Sequence, residues 1–81
     1  PFNPITNISY DIPFESRVTI HIYNILGQQV TTLVDLNQAP GRYRVLWHGK
    51  NDNGEKLSSG VYIISFHANE YARKQKVMLI K

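Results

Sequence analysis

Apolar and polar residues alternate with a period of two along most of this chain. The pattern is clearest where Val18, Ile20 and Ile22 fall on one side of a segment and Thr19 and His21 fall on the other. Because successive side chains of a strand point to opposite faces, this alternation predicts β-strands that each bury one face. No segment sustains the period of an amphipathic helix. The sequence therefore predicts an all-β domain.

Residues that favour turns interrupt the alternation and divide the chain into candidate strands. The predicted strands cover residues 6–12, 18–23, 28–33, 41–48, 60–69 and 71–81. A tight turn is expected at Asn69-Glu70, and a longer connection over 34–41. Five to seven short strands in a chain of this length fit an antiparallel β-sandwich. Pro1 and Pro4 predict that residues 1–5 form an extended linker, so that the folded domain covers 6–81.

A polar stretch over residues 47–62 separates two strands that are rich in aromatic residues. Trp47 and Tyr62 bound this stretch, and both are expected to point inward and meet in the core. The stretch is then a turn that brings the two strands together as a hairpin. The predicted core consists of Trp47, Tyr62, Tyr43, Ile20, Ile22 and Phe66, with Ile8, Tyr10, Val18, Val30, Val45, Ile64, Val77 and Leu79.

Two interpretations of the segment over residues 51–55 remain open. Asp52, Asn53 and Glu55 surround Gly54, and oxygen ligands around a glycine turn are how calcium loops are built. The run from Lys56 onward lacks the alternate ligands and the final glutamate of the twelve-residue loop. A turn with left-handed asparagine and glycine explains the same residues.

Composition limits the domain count and the class of partner. With 81 residues the chain forms one domain, and a hydrophobic fraction of 42% is enough for a core. The absence of cysteine excludes disulfides and thiolate metal sites. The formal charge of +3 includes Arg73, Lys74 and Lys76, which fit a solvated edge strand. Nucleic-acid binding would need a broader basic face, and no apolar run is long enough to span a membrane.

The residues that could carry chemistry are isolated from one another. His21, His48 and His67 lack the spacing of a metal pair. Ser58 and Ser59 lie outside any Gly-x-Ser-x-Gly sequence and have no base placed beside them. The sequence therefore predicts a domain that is not an enzyme and has no catalytic, cofactor or metal site.

Several short phrases follow one another in an order and spacing that together are specific. They are Pro1-Phe2-Asn3-Pro4-x-Thr6-x-Ile8-x-Tyr10, Val18-x-Ile20-x-Ile22-Tyr23-Asn24-x-x-Gly27-x-x-Val30, Gly41-x-Tyr43-x-x-x-Trp47-x-Gly49, Gly54, Ser59-Gly60-Val61-Tyr62 and Lys76-Val77-Met78-Leu79-Ile80-Lys81. They resemble the type A C-terminal sorting domain of the type IX (Por) secretion system of Bacteroidetes-type bacteria. The pattern is also similar to the immunoglobulin-like domain of the flagellar hook-capping protein. One departure is His48, where the family pattern leads us to expect aspartate.

The resemblance implies an immunoglobulin-like sandwich of about seven short strands and a non-catalytic secretion signal. It implies that Lys81 ends a longer polypeptide with an N-terminal cargo domain. The expected partners are the type IX machinery and its processing peptidase, and the expected location is secreted or at the cell surface, via the periplasm. The last strand is expected to be displayed to the translocon, because a partner can add a strand to a free edge. The candidate recognition residues are Arg73, Lys74, Lys76, Lys81, Gly60 and Tyr62.

Two other functions are compatible with the same residues. The first is a purely structural immunoglobulin-like module of a bacterial surface or appendage protein, which binds neighbouring domains. The second is a carbohydrate-binding module, which would need an exposed aromatic platform. Tyr23 and Tyr71 are too few for such a platform, so the structural module is the stronger alternative.

Overall fold

The computed structural model describes residues 5–80, which form an antiparallel β-sandwich with no helix among them. The predicted all-β sandwich is therefore confirmed, with six strands in the described residues rather than about seven. The predictions for residues 1–4 and Lys81 lie outside the described residues. The strands are β1 (Thr6–Ile12), β2 (Ser16–Tyr23), β3 (Gln29–Gln38), β4 (Gly41–Trp47), β5 (Gly60–Ala68) and β6 (Tyr71–Leu79).

The two layers differ in width. One sheet contains only β1 and β4, while the other contains four strands in the order β3-β2-β5-β6. All the pairings are antiparallel. β1 is therefore an outer strand of the narrow sheet, and β3 and β6 are the outer strands of the wide sheet. No helix within residues 5–80 has the length and apolar character needed to cross a membrane.

The core lies between the sheets and is centred on β2. Val18, Ile20 and Ile22 are fully buried, as the alternation in β2 predicts. Trp47 reaches them from the narrow sheet with 1% of its surface exposed, and Tyr62 reaches them from β5 with 6% exposed. The remaining buried apolar residues are Ile12, Val34, Ile64, Ala68 and Leu79.

Three of the aromatic residues assigned to the core, Tyr10, Tyr43 and Phe66, are only half-buried. Tyr43 and Phe66 pack against the core without being enclosed by it. Tyr10 lies between them, with ring centroids 5.5 Å from Tyr43 and 5.1 Å from Phe66. The two-stranded sheet is too narrow to cover this aromatic row completely, so the row stays open to solvent along one side.

The predicted hairpin between the fourth and fifth strands is wrong. β4 pairs with β1, whereas β5 pairs with β2 and β6, so residues 48–59 cross from one sheet to the other. A small hairpin does occur inside this crossover, where Lys50 bridges to Lys56. The contact between Trp47 and Tyr62 is therefore made across the core rather than along a ladder.

The predicted long connection after Leu33 is also wrong. β3 continues to Gln38 and pairs with β2 along its whole length, with register shifts at Ile20/His21 and Ile22/Tyr23. The shifts leave Val30 and Leu33 of β3 without partners in β2. These bulges disturb the two-residue period, so the alternation of the sequence did not reveal the second half of the strand. The turn at Asn69-Glu70 is confirmed, because Ala68 pairs directly with Tyr71.

Candidate functional site

The basic strand β6 lies at the edge of the wide sheet, as an extended partner would require. Its residues Tyr71 to Lys76 are all exposed, whereas Leu79 at its other end is 1% exposed. Within residues 5–80 no strand pairs with its outer side. An unpaired edge offers a row of backbone N–H and C=O groups to another chain, and charged side chains on it limit unspecific pairing. This strand is therefore one candidate interaction surface.

The structure divides the predicted basic cluster between the two faces of β6. Arg73 pairs with Phe66 and shares its inward-facing side, because residues directly opposite each other project to the same face. Lys74 and Lys76 pair with Ser65 and Ile63 and point to the outer face of the sheet. A partner on the outer face therefore contacts Lys74 and Lys76, whereas Arg73 lies on the inner face of the sheet.

The other residues assigned to recognition have structural positions. The Tyr62 hydroxyl donates a hydrogen bond of 2.7 Å to the carbonyl oxygen of Ser58, and its ring packs edge to face on Trp47. Gly60 pairs with Leu79 in the β5–β6 ladder. Tyr62 is buried, so a docked partner cannot reach its ring. Lys81 lies outside the described residues.

A second exposed surface, which sequence reasoning missed, is the turn between β2 and β3. Ile25 and Leu26 are 74% and 79% exposed at its tip. The tip is held in shape by Asn24, whose side-chain oxygen accepts hydrogen bonds from the backbone N–H groups of Leu26 and Gln28 at 2.9 and 3.0 Å. Gly27 completes the turn with φ +82°. The sequence feature that indicates this surface is the pair of neighbouring apolar residues between asparagine and glycine, two residues that favour turns.

A shallow groove on the outer face connects this tip with Lys74 of β6. It has a volume of about 490 Å³, and Tyr23, Ile25, Ile63 and Lys74 are among the residues that line it. The outer face of the wide sheet therefore offers one continuous surface, apolar at the tip and basic at the edge strand.

The opposite face of β6 lines a larger cleft of about 590 Å³ between the two sheets. Tyr10 and Phe66 form part of its wall, and Arg73 lies on it. The Tyr10 hydroxyl donates a 2.7 Å hydrogen bond to the side-chain oxygen of Gln38. Burial raises the pKa of Tyr10, the hydrogen bond with Gln38 lowers it by less, and the charge of Tyr43 adds a smaller increase.

The segment over residues 51–55 forms a turn that is closed by its own side chains. The side-chain oxygen of Asn51 accepts hydrogen bonds from the N–H groups of Asn53 and Glu55, both at 3.0 Å. Asp52 accepts a 2.8 Å hydrogen bond from the Thr31 hydroxyl, which fastens the turn to β3. In the described part of the chain no three His, Cys, Asp or Glu side chains are grouped as metal ligands.

The histidines and serines singled out in the sequence are not brought together. His21 shares a 2.9 Å hydrogen bond with Thr32, whereas His48 and His67 are exposed at separate places. Ser58 and Ser59 lie in the crossover before β5. Across residues 5–80 the geometry therefore assembles surfaces for contact rather than a set of converging reactive groups.

Comparisons with known proteins agree with this fold. The model of the FlgD Ig-like domain family matches residues 7–71. A solved structure of FlgD from P. aeruginosa superposes with a TM-score of 0.69 at 21% identity over 93% of this chain. The chain spans 58% of the length of that protein. A comparison with curated proteins found no match.

Proposed function

This chain belongs to the FlgD Ig-like domain family, and on that basis we propose that it is a non-catalytic structural module of a bacterial surface or appendage protein. In this role it packs against neighbouring domains. The immunoglobulin-like relationship expected from the sequence is supported by the family match and by the superposition on FlgD. Neither comparison concerns the type IX machinery.

The observation that carries this proposal is the apolar tip of the β2–β3 turn. Ile25 and Leu26 together expose two large aliphatic side chains. Exposed aliphatic pairs are stabilised by burial against a partner, at roughly 25 cal/mol per Å² of apolar surface removed from water. Since Asn24 fixes the turn, little backbone entropy is lost when a neighbouring domain covers it.

Hydrogen exchange tests this packing. We expect the amides of residues 24–28 to exchange more slowly in the assembled protein that contains the module than in the isolated 81 residues. A variant with Ile25→Ser and Leu26→Ser is expected to lose that protection and to keep the thermal midpoint of the isolated module. Ile80→Ser, which alters a residue that is 70% exposed on a different element, is the matched control. Equal exchange in both contexts would exclude the tip as a packing surface.

A second candidate is the C-terminal sorting domain of the type IX system. The order and spacing of the sequence phrases support it, and so does the edge position of β6 with Lys74 and Lys76 on its outer face. In this role the module directs an N-terminal cargo domain through the periplasm to the cell surface. The translocon would pair with β6 and contact those lysines, and a processing peptidase would then release the cargo.

A reporter fusion separates the two candidates. The 81 residues are fused to a periplasmic reporter in a bacterium that has the type IX system. The sorting domain is supported if the reporter is exported, if export is lost in the double variant Lys74→Glu and Lys76→Glu, and if export is kept in the control Arg44→Glu, which reverses an exposed charge on β4. A folded fusion that stays in the cell excludes sorting and leaves the structural role, for which the exchange experiment is the test.

A further inference from the structure

The sandwich is open along one side, between β1 and β6. Each is the outer strand of its own sheet, and within residues 5–80 no other strand pairs with the free side of either. The cleft of about 590 Å³ lies between them. One wall is the free backbone edge of β1, and the floor is apolar apart from Arg73 and Gln75 of β6 and Ser16 of β2. Asp11 of β1 also borders the cleft, and its carboxylate is paired with Arg42. A ligand that suits this wall must itself offer backbone N–H and C=O groups in an extended conformation.

We propose that this cleft binds an extended segment of a partner protein, which pairs with β1 as a third strand of the narrow sheet. Strands in a sheet lie about 4.8 Å apart and stacked sheets about 10 Å apart. The narrow sheet has two strands and the wide sheet has four, so β6 extends beyond β1. A strand added beside β1 therefore lies above the inner face of β6. It therefore covers the aromatic row that the narrow sheet leaves open.

The side-chain pattern of that segment follows from the residues it would meet. Tyr10 packs on Phe66 at 5.1 Å, and Phe66 pairs with Arg73. A residue opposite Tyr10 on the added strand therefore lies above the Arg73 guanidinium. The residues two positions away on either side lie beside Ile8 and Ile12, both of which line the cleft.

Charge complementarity identifies the central residue as acidic. Among residues 5–80 the salt bridges join Arg17 to Asp35 and Arg42 to Asp11, and neither involves Arg73. A carboxylate above Arg73 gains a charge-assisted hydrogen bond in a site that the added strand shields from water. The partner segment is thus an extended run with apolar, acidic and apolar residues at alternate positions. A second copy of this chain fits less well, because its β6 would bring Arg73, Lys74 and Lys76 against a cation. Its β1 has Tyr10 between Ile8 and Ile12, at the position where the site calls for a carboxylate.

The test is a titration of the isotopically labelled 81-residue chain with the peptide Thr-Val-Thr-Glu-Thr-Val-Thr, followed by NMR. We expect saturable shifts of the amides of β1 and of residues 71–75. Replacing the glutamate of the peptide by lysine is expected to weaken binding about tenfold, which corresponds to about 1.4 kcal/mol. Arg73→Glu should reverse the preference between the two peptides. Lys74→Glu, on the opposite face of the same strand, should leave the preference unchanged and is the matched control.

Several results would overturn the proposal, which does not depend on which protein carries the module. Equal affinity for the two peptides, or no saturable shift at millimolar peptide, would remove the acidic strand as the occupant. Shifts confined to β3 or to the outer face of β6 would place binding at another surface. Shifts of β1 that grow with protein concentration alone would identify a second copy as the occupant.

Discussion

Trp47 and Tyr62 pack edge to face across the core, with ring centroids 5.3 Å apart and planes at 69°, although their strands are not paired. Trp47 ends β4 in the narrow sheet, and Tyr62 lies near the start of β5 in the wide sheet. The two rings therefore join the layers at the point where the chain crosses between them. Each ring is held by a hydrogen bond to the crossover, from the Trp47 indole N–H to Lys50 and from the Tyr62 hydroxyl to Ser58.

Truncation of Trp47 is expected to unfold most of the module. The side chain is 1% exposed, so Trp47→Ala leaves a large cavity and the indole hydrogen bond is lost. Such changes destabilise by about 3 to 5 kcal/mol, within the roughly 5 to 15 kcal/mol that stabilises a typical domain. Urea denaturation followed by circular dichroism measures the loss. Leu46→Ala, next to it in sequence and 40% exposed, is the control and should cost far less.

Removing only the hydroxyl of Tyr62 is expected to have a smaller effect. Tyr62→Phe keeps the ring against Trp47 but leaves the Ser58 carbonyl without its 2.7 Å donor. The expected loss is about 1 kcal/mol in the free energy of unfolding. The comparison is Tyr71→Phe, on a ring that is 56% exposed. If both variants have the same denaturation midpoint, the Tyr62 hydroxyl does not anchor the crossover.

The strands could be predicted from the sequence because alternation is a local property. It was sufficient for β1, β2 and the turn at Asn69-Glu70, where nothing disturbs the two-residue period. It failed in the second half of β3, because the extra residues Val30 and Leu33 shift the register of β3 against β2 and because Asp35 forms an ion pair with Arg17 at the surface. Polar residues on an edge strand resemble a loop when only the sequence is considered.

Pairing partners and exposure could not be predicted in the same way. Alternation places Trp47 and Tyr62 on inward faces but does not specify whether their strands are neighbours in one sheet. The half-burial of Tyr43 and Phe66 depends on the width of the narrow sheet, which is a property of the whole fold. The sequence also places Ile25 and Leu26 in a turn. Their exposure as a pair depends on the whole fold and is shown only by the structure.

Asn69 is expected to tolerate glycine better than alanine. It has φ +55°, which disfavours residues with a Cβ, and its side chain contacts Ser16 and the backbone of Glu15 and Arg17. Asn69→Ala loses these contacts and also strains the backbone, whereas Asn69→Gly loses the contacts alone. The difference should be about 1 kcal/mol in favour of glycine. Thermal unfolding of both variants measures it, and a more stable alanine variant would contradict the left-handed conformation.

Calcium is expected to leave the stability of the module unchanged. The side-chain oxygens of the turn over residues 51–55 already accept hydrogen bonds from Asn53, Glu55 and Thr31. Asn51→Ala should therefore destabilise by about 1 kcal/mol without added metal, because the turn loses its internal acceptor. Asn53→Ala, at an exposed position of the same turn, is the control. A midpoint of thermal unfolding that rises with calcium and falls with chelator would establish a calcium site instead.

Stability is expected to fall at alkaline pH through the ionisation of Tyr10. Burial raises the pKa of this phenol in the fold, so the folded state favours the neutral form more strongly than the unfolded state does. The stabilisation is therefore fully present below the unfolded pKa of about 10, and it is lost as the pH rises through the raised value. Tyr10→Phe cannot ionise, so its free energy of unfolding should decline less steeply above that pH.

Denaturant unfolding at pH 8 and at several values above about 10 measures this slope. Tyr10→Phe should be less stable than the parent at pH 8, because the variant has no hydroxyl to donate to the Gln38 side chain, which is 2.7 Å from the hydroxyl in the parent. The difference in the free energy of unfolding between parent and variant should narrow as the pH rises. Only the parent has a phenol that ionises at that position, and a charged phenolate is costly to bury. Tyr71→Phe corrects for the general effect of removing a phenol, because its ring is exposed. A gap that stays constant across this pH range would show that Tyr10 ionises equally easily in the folded and unfolded chain, and would place its hydroxyl in solvent rather than against Gln38.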